Sequence, residues 1–174
     1  MPKIYLSPST QDQNPYVDGS GSEEYWMNLL ADALEPYLYA NTIAFVRNSP
    51  EMTAASSIAQ ANQLGGFDFY LALHSNASGE GQAGKNRGII VFYYPTSSDG
   101  KRAAELFAAR LREVYPLPSK VTTQATTTLG EVRRPRYPAN LIELGYHDNY
   151  DDARWIQNNL DAAAQAIARG LTEY

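Results

Sequence analysis

Between Gly66 and His74 the chain reads Phe67-Asp68-Phe69-Tyr70-Leu71-Ala72-Leu73, an apolar run that lacks polar alternation. A strand facing water on one side alternates apolar with polar residues. An unbroken run suits a strand buried on both faces, as in the middle of a parallel sheet. Parallel neighbours need crossover connections, so helices must cover both faces of such a sheet. The rest of the chain supplies those pieces. Lys3 to Ser7, Thr42 to Arg47, Gly88 to Tyr94, Val121 to Ala125 and Pro138 to Glu143 read as further strands.

Helical spacing appears in Trp26, Leu29, Leu30, Ala33, Leu34, Tyr37 and Leu38, behind a start at Ser22 with Glu23 and Glu24 in the first turn. Pro36 should kink or shorten that helix. Pro50 to Leu64 reads as a second helix, stopped by Gly65-Gly66. Ser98 is placed to cap a third, and Asn149 a terminal helix with a stripe of Ile156, Leu160, Ala164, Ile167 and Leu171. The expected fold is one α/β domain over residues 1–174, with a twisted, mostly parallel sheet of about six strands and helices on both faces.

Net charge is −5, and basic residues are scattered apart from Arg133, Arg134 and Arg136. Nucleic acid, which is met by a basic face, is therefore not an expected partner. The chain has no cysteine, so any metal must be held by nitrogen and oxygen. No apolar run reaches the ~20 residues of a membrane helix, and no membrane partner is expected. Met1-Pro2-Lys3-Ile4 lacks the apolar core of a signal peptide, which leaves the compartment open. A monomer is expected.

In open α/β sheets, reactive groups gather beyond the carboxyl ends of strands. Those ends carry the Ser7–Gln11 segment, His74 with Asn76, and Glu143. His74 reads either as a metal ligand or as a hydrogen-bonded histidine at a strand terminus. Glu143 is either an exposed strand-end acid or a half-buried carboxyl whose raised pKa suits general acid–base work. Glu23 and Glu24 are equally explained as first-turn acids. His147 reads as a loop histidine. The Arg133–Arg136 cluster is a solvated patch or a contact for a carboxylate-bearing substrate. Pro8 to Ser22 is a loop long enough to suggest function. No G-x-S-x-G occurs, and Ser75 beside His74 is no triad.

Taken in order, I-Y-L-S-P-S-T, E-E-Y-W-M-N-L, L-A-L-H-S-N-A, G-I-I-V-F-Y-Y and P-A-N-L-I-E-L-G-Y-H-D-N resemble the zinc-dependent N-acetylmuramoyl-L-alanine amidases over essentially the whole length. The resemblance implies a hydrolase that cuts the amide between muramic acid and L-alanine in peptidoglycan or a muropeptide, acting at the bacterial cell wall. It implies zinc as cofactor, Glu24 and His74 as ligands, Glu143 as the carboxylate that activates water, and Asn76 as a substrate-side residue.

The sequence departs from the family where Thr10 stands for the first zinc histidine, Ser7 and Ser9 for Asp and Gly, and Ser57 for an arginine. Catalytic zinc takes three protein ligands, and Glu24 with His74 make two. Three outcomes are compatible with this. His147 replaces the ligand; Gln11, Asp12 or Asp18 supplies an oxygen; or the metal is lost, leaving a peptidoglycan-binding domain of the same fold.

Overall fold

Strand β3 (Phe69–Asn76) lies inside the sheet, as its apolar run requires. It pairs in parallel with β1 (Lys3–Pro8) on one side and β6 (Ala139–Tyr146) on the other. The structure is a computed structural model and describes every residue from Met1 to Tyr174. With β2 (Ala44–Arg47), β4 (Ile89–Tyr93) and β5 (Val121–Ala125), the six-stranded sheet has the order β2-β1-β3-β6-β4-β5. β4 runs antiparallel to β6 and parallel to β5, so the last two strands oppose the other four. No helix is long and apolar enough to cross a membrane.

The two faces differ in how they are covered. Ile4, Leu6, Phe69, Leu71, Leu73, Ile142 and Leu144 join a 32-residue core. The helices α1 (Glu23–Ala40), α3 (Ser98–Arg112), α5 (Tyr150–Asn158) and α6 (Leu160–Glu173) cover it. Tyr5, Tyr70, Ala72, Ala139 and Leu141 point the other way into a nine-residue cluster, beneath α2 (Ala54–Leu64) and the short α4 (Gly130–Arg133). Side chains alternate along a strand, so Ser7, His74 and Glu143 fall on this thinly covered face. His74 and Glu143 are register partners across β3 and β6.

Several sequence expectations are corrected. α1 continues through Pro36 to Ala40, so the proline does not shorten it. Pro36 and Asp32 are both exposed, so the carbonyl that loses its partner can be hydrated. β3 and β6 run on to Asn76 and Tyr146, past the polar residues expected to end them. Ser97, not Ser98, caps α3. The terminal helix is broken at Asn159 into α5 and α6. α4 was not expected at all.

Beyond Glu143, Gly145 has φ +80°, a conformation that glycine adopts freely. Fully buried Asp152 of α5 then fixes the strand end, accepting from Tyr146 N and Gly88 N (both 3.0 Å), Arg87 Nε (2.9 Å) and the Tyr115 hydroxyl (2.5 Å).

Candidate active site

His74 is buried, and each ring nitrogen meets a carboxylate. Nδ1 lies 2.8 Å from Glu23 Oε1, and Nε2 lies 2.7 Å from Glu131 Oε2. An ionised carboxylate only accepts, so both ring nitrogens donate and His74 is an imidazolium. Burial alone would depress its pKa. The hydrogen bonds that it donates to Glu131 and Glu23, with the nearby charges of Glu131 and Glu143, hold it well above the usual value instead.

Glu23 reaches His74 because the N-terminus of α1, capped by the Ser22 hydroxyl accepting from Tyr25 N at 3.1 Å, sits beyond the ends of β1 and β3. Burial pushes the Glu23 carboxyl up, but its bond and charge pairing with His74 outweigh this and hold it low. Glu24, the ligand that the resemblance implies, is not brought to His74. Its carboxyl has partial burial and the charges of Asp12 and Glu51 beside it, which raise its pKa. Neighbouring helical residues point about 100° apart, so only one of the pair can face the histidine.

Glu131 was missed in the sequence. α4 holds it under the thin face, where Oε1 accepts from Ser7 Oγ (2.6 Å) and the Tyr70 hydroxyl (2.7 Å), leaving Oε2 for His74. Ser7 in turn accepts from Asn48 Nδ2 at 3.2 Å. Ser57 is buried, accepts from the same Asn48 at 3.0 Å and donates to Thr53 O at 2.8 Å, so this position serves packing.

Glu143 lies beside this cluster. Its Oε2 is sealed from solvent and has no hydrogen-bond partner. Burial raises its pKa to about 7; the His74 charge opposes the rise, and the charges of Glu23 and Glu131 add to it. A carboxyl poised there is half ionised near neutral pH, as a general acid–base group needs.

His147 is buried, stacked on Tyr16 with ring centroids 5.5 Å apart, and its Nδ1 is engaged by Ser75 Oγ (2.9 Å) and Ser75 O (3.1 Å). Asn76 Oδ1 accepts from the Ala77 amide at 2.9 Å, which shapes the turn at the strand end. Asp18 is turned away to Ser20 and Gln157, and Asp12 is exposed.

Three pockets of about 270, 360 and 200 Å³ meet at Gln11 and His74, forming one branched cleft. Thr10 lines the first branch, with Ser9 and Asn48. The second runs past Glu143 over Ala54, Ile58 and Leu141 to Arg134. Asn14, Glu23, Asn76, Glu143 and His147 line the third.

A three-ligand zinc does not fit these donors as they stand. Both nitrogens of His74 are taken by carboxylates, and no three His, Asp or Glu side chains converge in an arrangement that could hold a metal ion. His147 shares a branch of the cleft with His74 and Glu23 but does not complete such a group.

The family model for N-acetylmuramoyl-L-alanine amidases matches residues 10–173. The chain belongs to this amidase family. Its curated relative CwlM of Bacillus licheniformis, an N-acetylmuramoyl-L-alanine amidase, is 25% identical over 176 residues, covering 98% of this chain. The chain spans only 66% of that relative's length. Among amidases of known structure, AmiC2 of Nostoc punctiforme superposes with a TM-score of 0.84 at 17% identity, covering 99% of this chain and 96% of its own. CwlD of Clostridioides difficile, solved in complex with the GerS lipoprotein, gives 0.85 at 15% identity, covering 100% and 98%. At those identities the likeness establishes the amidase fold.

Proposed function

We propose that this chain hydrolyses the amide between muramic acid and L-alanine in peptidoglycan or muropeptides. Family membership supports the reaction class, and one observation carries the catalytic assignment. Glu143 lines two branches of the cleft, and its carboxyl, one oxygen of which is buried without a hydrogen-bond partner, has its pKa raised to about 7.

The ionised Glu143 takes a proton from the attacking water as its oxygen bonds to the amide carbon. The same carboxyl then gives that proton to the departing amine as the C–N bond breaks. His74, fixed by two carboxylates, keeps a positive charge beside Glu143 and limits the rise of its pKa. Because the donors do not fit a three-ligand zinc, protein side chains carry each proton in this mechanism. Asn76 and Arg134 line the cleft and are the substrate-side groups, the guanidinium suiting the carboxylates of a stem peptide.

The test is release of free L-alanine amino termini from purified peptidoglycan and from a defined muramoyl peptide. Wild type should release them, and Glu143→Gln should lose at least about 10²-fold while remaining folded. Undiminished hydrolysis by Glu143→Gln would remove the assignment. Binding without any release by wild type would leave a peptidoglycan-binding domain.

A further inference from the structure

The loop after β1 contains a side chain whose direction is dictated by the ion cluster. Asn14 Nδ2 donates both to Glu23 Oε2 (2.8 Å) and to Gln11 Oε1 (2.9 Å). A carboxylate cannot donate, so the amide nitrogen of Asn14 must be the atom that faces Glu23. The same nitrogen then requires the carbonyl end of Gln11. The Gln11 NH₂ is thereby turned away from Asn14, and it makes no hydrogen bond to the protein.

The backbone of Gln11 is pinned as well. Its N–H donates to Ser9 Oγ at 3.2 Å, and its carbonyl accepts from Glu24 N at 3.3 Å. Gln11 lines all three branches of the cleft, two of them with Glu143. A pre-set, unspent donor beside the general base is what a carbonyl oxygen gathering negative charge requires, since it need not reorganise during reaction.

We infer that Gln11 is a catalytic residue whose side-chain amide donates to the carbonyl oxygen of the scissile muramoyl amide. This rests on the amide-hydrolase reading above. Asn14 is then a positioning residue, passing the polarity of the Glu23 carboxylate to Gln11.

The experiment uses a muramoyl-L-alanyl peptide carrying ¹³C at the lactyl carbonyl, bound to Glu143→Gln protein to suppress turnover and read by isotope-edited infrared spectroscopy. The bound carbonyl band should lie at lower frequency than in solution. It should return to the solution position when Gln11→Ala is added, with the peptide still bound. In the otherwise wild-type chain, Gln11→Ala should lower kcat roughly 10²-fold with KM little changed. Gln11→Glu, which keeps the shape but removes the donor, should do at least as much harm. A shifted band that survives Gln11→Ala overturns the role of Gln11 while leaving the hydrolase reading intact. No binding by either protein overturns both.

Discussion

Removing Glu131 tests whether the ion cluster is held as described. Glu131→Ala strands three donors at once: the Ser7 hydroxyl, the Tyr70 hydroxyl and the Nε2–H of His74. Breaking a buried ion pair by deleting one partner costs about 3–5 kcal/mol. His74 retains Glu23, so the lower part of that range applies to the charge, and the orphaned hydroxyls add to it. The total is about 4 kcal/mol, or a fall in Tm on the order of 10 °C for a domain of this size.

The pH dependence is equally specific. The folded pKa of His74 is raised, so its contribution is complete below the unfolded value near 6.5 and fades as pH climbs through the folded one. The cost of Glu131→Ala should therefore be largest near about pH 6 and shrink near about pH 9. Urea unfolding of both proteins at the two pH values gives the numbers. A cost below about 1 kcal/mol at the lower pH, or one that does not change with pH, would refute the imidazolium between two carboxylates.

Three further outcomes follow from the same geometry. Glu143 has a folded pKa of about 7 against an ordinary 4.5, so the native state binds more protons in that window and loses stability as pH rises through it. Glu143→Gln should thus stabilise by on the order of 3 kcal/mol near about pH 8 and by little near about pH 4, measured by thermal unfolding. Glu23→Gln should destabilise and disturb the His74 ring resonances in two-bond ¹H–¹⁵N spectra, whereas Glu24→Gln should leave those resonances in place; the reverse pattern would restore Glu24 to the site. Zinc can occupy His74 only by displacing a ring proton, so zinc uptake followed by calorimetry should be weak near about pH 6 and stronger near about pH 8, with proton release. Tight, stoichiometric uptake independent of pH would show that other donors assemble the metal site.

His74 and Glu143 were legible because each closes a long apolar strand, and strand ends are where this architecture exposes chemistry. The choice between Glu23 and Glu24 was also written locally, but in the helix pattern. Glu23 shares a face with buried Met27, Leu30 and Leu34 at the i+4, i+7 and i+11 positions, and Glu24 does not. Glu131 had no comparable signal. It sits on a four-residue helix just ahead of Pro135, and its partners lie 124, 61 and 57 residues away in sequence. Only buried Val132 beside it hinted that the segment docks on the sheet. The tilt of Gln11 was likewise invisible, because it follows from the charge on Glu23 through Asn14 rather than from any property of the loop.

The unequal covering of the sheet gives its central strands a reading frame. In β3 and β6 one set of alternate residues is committed to the main core and the other to the cleft, with His74 and Glu143 in phase across the ladder. Deleting one residue from β6 ahead of Glu143 would move the acid into the space of Ile142 and Leu144, and aim an isoleucine or leucine at the cleft. Such a shift abolishes folding and chemistry together, whereas point substitutions on the cleft side leave the main core untouched. Chemistry in this domain can therefore change one alternate position at a time, while insertions are tolerated only outside the strands.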